Sequence, residues 1–175
     1  MTADFGWDKR LELDVQFGYL ASGVAAPRQH HPQVILNGTT QSVLRVLREE
    51  LRRCQRFVFS VAFVSPRAIA LIKQELVEFE GEGHIVTSDY LGFNSPQAFA
   101  ELLNLTSLGI DVRLHSSSAF HPKGYIFEGP ETVTAMVGSS NLTENALVRN
   151  HEWNLKVAAT PASDLAEQLS RLVAD

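Results

Sequence analysis

The chain has 175 residues, 45% of them hydrophobic and 20% charged, and 15 Lys and Arg against 20 Asp and Glu give a net charge of −5. A chain of this length buries enough surface to fold as one domain without disulfide or metal, and the composition excludes a disordered or fibrous protein. The acidic balance excludes a chain that is basic throughout and leaves any contact with a polyanion to local groups.

Residues 1–32 read as an arm or loop. Leu11, Leu13, Val15 and Phe17 alternate as in an extended segment, and His30-His31 lie in a proline-containing stretch with no acidic or cysteine companions to suggest a metal site. Met1 to Arg10 is polar, no apolar run approaches a membrane span, and the single cysteine, Cys54, excludes an internal disulfide. These features lead to the expectation of a cytoplasmic protein without a membrane partner.

From residue 33 the pattern is regular. Val34-Ile35-Leu36 is a short strand ended by Asn37-Gly38. Thr39 or Thr40 is expected to cap a helix reaching Cys54, with Val43, Leu44, Val46, Leu47 and Leu51 on its apolar side. Phe57 to Val64 is a buried strand, and Ser65-Pro66 opens a helix through Phe79. His84 to Ser88 is a strand, Ser95-Pro96 caps a helix to Leu105, and Asp111 to His115 is a third strand of the alternation. Strand alternating with helix indicates an α/β sheet with parallel neighbours. Phe120 to Phe127 and Thr132 to Val137 then form a hairpin about the turn Glu128 to Glu131. A short helix over Asn141 to Val148, a strand over Glu152 to Ala158 and an amphipathic helix over Pro161 to Val173 close the chain.

The hairpin gathers chemistry. Its turn predicts Lys123 opposite Met136 and His121 opposite Gly138, with His121 and Lys123 on one face. Ser139 and Asn141 leave the sheet beside His121. On the next strand Glu152 and Asn154 share a face, with Trp153, Leu155 and Val157 expected on the apolar side. Lys123 and Asn141 suit the non-bridging oxygens of a phosphodiester, His121 suits attack on phosphorus, and Glu152 suits a hydrogen bond that fixes the tautomer of that imidazole.

His121-Pro122-Lys123 followed by Gly138-Ser139-Ser140-Asn141 resembles the phospholipase D superfamily, with its H-x-K and G-S-x-N elements. Glu152, eleven residues after Asn141, is similar to the glutamate of the small bacterial nucleases of that superfamily, while Glu128 stands where the motif has Asp. The wider run, through Ser60 to Phe63, Thr87 to Leu91 and Glu152 to Leu155, resembles the phospholipase-D-like N-terminal domain of bacterial DEAD/DEAH-box helicase and restriction-type proteins. The resemblance implies a phospholipase-D-like mixed sheet flanked by helices in a single domain over 33–175, placed at the start of a larger helicase-like protein. It also implies a metal-independent phosphodiesterase acting on nucleic acid, DNA in particular, through a phosphohistidine. The catalytic set is His121, Lys123, Ser139, Asn141 and Glu152, with no cofactor. A second histidine must protonate the leaving oxygen, and one copy of the motif per chain implies a homodimer with the active site at its interface.

Further candidates for substrate contact are Asn154, Tyr90 after a parallel strand, and Arg45, Arg48 and Arg52 at helical spacing, which equally fit a solvated helix face. His115, His121, His151 and Asp111 suggest a rival metal-dependent hydrolase, but their spacing matches no ligand motif. Ser139 has no G-x-S-x-G elbow, and no P-loop is present. The alternative to an enzyme is a DNA-positioning or dimerisation module, which the acidic charge favours.

Overall fold

The structure is a computed structural model that describes residues 32–38, 41–89, 92–116 and 119–174. The expected arm, the His30-His31 pair, Thr39, Thr40 and Tyr90 lie outside the described residues. Seven strands form one mixed sheet: β1 (Gln33–Ile35), β2 (Arg56–Val61), β3 (Glu82–Ser88), β4 (Asp111–His115), β5 (Lys123–Glu128), β6 (Val133–Gly138) and β7 (Asn154–Ala159), in the order β1-β7-β6-β5-β2-β3-β4. β2, β3 and β4 are parallel, and the remaining pairings are antiparallel.

Phe57, Phe59 and Val61 alternate along β2 and face the larger core with Ile85, Tyr125, Phe127 and Met136. Helices α1 (Val43–Leu51), α2 (Pro66–Leu71), α4 (Pro96–Thr106) and α5 (Glu144–Val148) cover that face. Val58, Ile126, Val133 and Ala135 point the other way, onto Ala166 and Leu169 of α6 (Asp164–Ala174). Both faces of the sheet are therefore packed, as the α/β reading requires.

Local chemistry moves several boundaries. The side chain of Ser42 accepts from the Arg45 amide and is the cap of α1. The helix expected from Ser65 to Phe79 breaks at the buried Ile72 (φ −114°, ψ 11°) into α2 and α3 (Lys73–Val77). Asn141 and Leu142 precede α5, which Thr143 caps through the Ala146 amide.

The hairpin register is corrected by two residues. Tyr125 faces Met136 and Gly124 faces Val137, and the loop closes between the Gly129 amide and the Thr132 carbonyl at 2.8 Å. Glu128 is not a turn residue: it pairs with Val133 and meets Arg56 Nη1 at 2.5 Å, so strand pairing and an ion pair draw it into β5. A shift of two keeps each side chain on its expected face. β7 begins at Asn154, which leaves Glu152 and Trp153 in the approach to it. The expected faces there are reversed: Asn154 is buried, whereas Trp153 is 75% and Leu155 42% exposed. Asn154 is drawn inward by hydrogen bonds to Ser140.

Candidate active site

The site lies at one rim of the sheet, where β2 ends and β5 begins. The Ala62 amide donates to the Pro122 carbonyl at 3.0 Å, which ties the end of β2 to the His121-Pro122-Lys123 segment. His121 is exposed and stands just ahead of β5, so its ring is held by neighbours and not by strand pairing. Lys123 Nζ lies 2.9 Å from its Nδ1 and 3.3 Å from its Nε2. In a neutral imidazole one ring nitrogen carries the lone pair that can accept from this ammonium or attack phosphorus, and the tautomer decides which. The Phe63 ring stands edge-on to the imidazole, centroids 5.6 Å apart. Lys123 is half-buried, and burial pushes its ammonium below the ordinary lysine range, while the Glu152 carboxylate acts in the opposite direction.

The turn after β6 supplies the other wall. A Cβ on Gly138 would fall 2.2 Å from the Trp153 carbonyl oxygen and 2.6 Å from the Asn154 Cα, so only glycine lets β6 and the approach to β7 meet here. The next residue closes that contact: the Ser139 amide donates to the Trp153 carbonyl and the Trp153 amide to Ser139 Oγ, both at 3.0 Å. Ser139 Oγ donates in turn to Glu152 Oε2, and Asn150 Nδ2 donates to Glu152 Oε1 at 3.0 Å. Glu152 is thus oriented by Ser139 and Asn150; the expected bond from His121 to Glu152 is replaced by the contact of both ring nitrogens with Lys123.

Asn141 Oδ1 accepts from the Phe63 amide at 3.1 Å. With its acceptor engaged, the amide presents its Nδ2 donor for an anionic oxygen. Ser140 is fully buried beneath the turn: Asn154 Nδ2 donates to its Oγ at 2.9 Å, and the Tyr125 hydroxyl donates to its carbonyl at 3.0 Å. Burial raises the Tyr125 phenol well above its ordinary pKa, so it stays a hydrogen-bond donor. Asn154, expected at the substrate, instead supports the turn from below. Residues with no motif to announce them do similar work. Buried Asn94 donates to the carbonyls of Ala62 and Ser88 and accepts from the Val64 amide, binding the ends of β2 and β3 together.

The remaining candidates stand apart from this rim. Arg52 Nη2 meets Glu75 Oε1 at 2.5 Å, Arg48 donates to the Leu71 carbonyl and lies 3.7 Å from Glu75, and Arg45 pairs with Glu49 at 2.7 Å. The rival metal set is dispersed. Asp111 bonds to His84 and Arg113, His115 stacks on Phe120, and no three His, Cys, Asp or Glu gather as ligands among the described residues.

Residues 32–173 match the family described as "Cardiolipin synthase, PLD-like domain". The chain belongs to the phospholipase-D-like family. Family membership carries the expectation of a phosphodiester hydrolase. Solved structures of the same fold include Nuc, a phospholipase D family member from Salmonella typhimurium (23% identity, TM-score 0.58, covering 81% of this chain and 91% of that one). NucT from Helicobacter pylori is similar at 17% identity and TM-score 0.59, covering 82% and 91%. A mutant of yeast tyrosyl-DNA phosphodiesterase 1 is similar at 14% identity and TM-score 0.55, covering 76% of this phospholipase-D-like chain and 33% of its own. A search of curated protein sequences finds no match. Among the described residues no helix is long and apolar enough to cross a membrane.

Proposed function

We propose that this phospholipase-D-like chain hydrolyses nucleic acid phosphodiesters, DNA in particular, through a covalent phosphohistidine on His121 and without a metal ion. The observation that carries the reading is the placement of the Lys123 ammonium 2.9 Å from the exposed His121 imidazole, on a rim shared with the Asn141 amide. A structural neighbour named as a tyrosyl-DNA phosphodiesterase supports the choice of nucleic acid.

A His121 ring nitrogen attacks phosphorus: the P–N bond forms and the P–O bond to the leaving strand breaks. Lys123 Nζ and Asn141 Nδ2 hold the non-bridging oxygens as charge builds on them. The leaving oxygen takes a proton from His121 of a second copy. Water then attacks the phosphohistidine, that second imidazole recovers the proton, and the P–N bond breaks to release a terminal phosphate. Ser139 and Asn150 hold the Glu152 carboxylate beside the site, where it favours the ammonium form of Lys123.

The test is cleavage of single-stranded and plasmid DNA with and without EDTA, by the wild type and by His121→Ala. Cleavage should survive EDTA, fall by roughly a thousand-fold or more in His121→Ala, and leave acid-labile phosphate on the wild-type histidine. Activity that requires added Mg²⁺, Mn²⁺ or Zn²⁺, or that persists in His121→Ala, overturns the mechanism.

A further inference from the structure

One flank of His121 is aromatic and partly open to solvent. Phe63 stands between the imidazole and Phe93, with ring centroids 5.6 Å from His121 and 5.0 Å from Phe93, and Phe93 is 64% exposed. Single exposed apolar residues are ordinary on protein surfaces. Phe93 differs in packing edge-on to a ring that touches the proposed nucleophile, next to a buried anchor. It follows Gly92, whose backbone is left-handed (φ +64°), and precedes Asn94, which is 5% exposed and hydrogen-bonds to Ala62, Val64 and Ser88. The two phenylalanines therefore form an aromatic step beside the reacting centre.

Charge supplies the second observation. A protein that grips nucleic acid by its phosphates needs unneutralised cations, and this chain carries −5 overall. Several of its arginines are committed to carboxylates: Arg52 to Glu75, Arg56 to Glu128 and Arg113 to Asp111. With these cations drawn to carboxylates, contacts that do not depend on charge add to the grip on the neighbouring nucleotides. An exposed aromatic face supplies such a contact by stacking on a base, and only an unpaired strand has base faces to offer.

From these observations, and resting on the nuclease reading above, we infer that Phe63 and Phe93 form a base-stacking subsite and that the substrate is single-stranded nucleic acid. The nucleotide beside the scissile phosphate lays its base on Phe93. Duplex, whose bases are already stacked on one another, cannot use this step without being opened. The preference is for strandedness and not for sequence, because every base has a π-face.

The test measures binding in the His121→Ala protein, so that no turnover intervenes. At one fixed salt concentration, three fluorescent probes of equal length are compared by anisotropy: a deoxythymidine oligonucleotide, the same sugar-phosphate chain without bases, and the duplex form of the oligonucleotide. The thymidine strand should bind about five-fold to a hundred-fold more tightly than the abasic strand, and more tightly than the duplex. Adding Phe93→Ala should remove that advantage while leaving abasic binding unchanged, and Phe93→Trp should restore it. Thermal melting of each variant confirms that the fold is retained. Equal binding of the abasic and thymidine strands, or a Phe93→Ala protein that still prefers the thymidine strand, overturns the subsite. Base-dependent binding by a chain that fails to cleave any strand with His121 intact would sink the nuclease reading and keep the stacking subsite.

Discussion

Lys123 carries opposing demands. It must be an ammonium to hold phosphate oxygens, yet burial pushes its pKa down, and the carboxylate of Glu152 only works against that. The sign of the pH effect follows. A lysine with a lowered pKa loses its proton at a lower pH than a free lysine near 10.4, so kcat/KM should fall on the alkaline side earlier than an ordinary lysine would dictate. Bound phosphodiester favours the charged form, so the alkaline limb of kcat should lie above that of kcat/KM. Lys123→Arg, which stays charged throughout, should lower the rate at neutral pH about ten-fold or more through altered geometry, and should abolish or raise the alkaline limb. Initial rates from pH 6 to about pH 10.5 check this; an alkaline limb unchanged in Lys123→Arg would assign it to another group. The motif residues around Lys123 were legible because their spacing is short and local. Asn154 was misplaced because alternation along a strand gives two faces without saying which one the protein covers.

At the scale of elements, the arginine row of α1 shows how packing decides between two readings of one pattern. Helical spacing puts Arg48 and Arg52 on one face, and either phosphate or a carboxylate could meet them there. In the fold, α3 brings Glu75 beneath both, with its side chain only 2% exposed. A carboxylate that deep needs its cation more than the cation needs it. Arg52→Ala leaves Glu75 with Arg48 at 3.7 Å, and Arg52 is itself 57% exposed, so the expected loss of stability is about 1–2 kcal/mol. Adding Glu75→Gln should recover part of that loss by removing the stranded charge. Urea denaturation of the two variants measures both effects. A large loss of DNA affinity with unchanged stability in Arg52→Ala would restore the phosphate-contact reading.

For the whole molecule, these 175 residues hold one H-x-K and G-S-x-N set, so the proposed two-histidine reaction would take its second histidine from another copy. Val34, Leu155 and Val137 lie in register across β1, β7 and β6 and are 64%, 42% and 44% exposed, with Trp153 beside them at 75%. An apolar row of this kind is a surface that a second copy of the chain would cover, and the two-histidine reaction would need that copy to bring its own His121 to the site. The consequence is quantitative. In fully exchanged mixtures of wild type and His121→Ala, activity should follow the square of the wild-type fraction, about a quarter at an equal mixture. A linear fall to about a half, or an active monomer by sedimentation, would show that each chain works alone.

Element types were largely determined by the sequence, because hydrophobic period is a local property: the β-branched and aromatic run of β2 and the Ser-Pro starts of α2 and α4 each act through immediate neighbours. The spacing of His121, Lys123, Gly138, Ser139 and Asn141 was equally visible, since these residues sit on or just beyond the open ends of two adjoining strands joined by a short loop. What joins distant segments was decided by tertiary structure. The hairpin register moved by two residues because Arg56, far away in the chain, holds Glu128 in its strand. Glu152 met Ser139 and Asn150 in place of His121, Glu75 took the arginines of α1, and Phe93 came within one ring of His121. A residue's own period fixes the direction of its side chain relative to its element, whereas the partner it meets depends on how separate elements pack, and that information resides in the core they share.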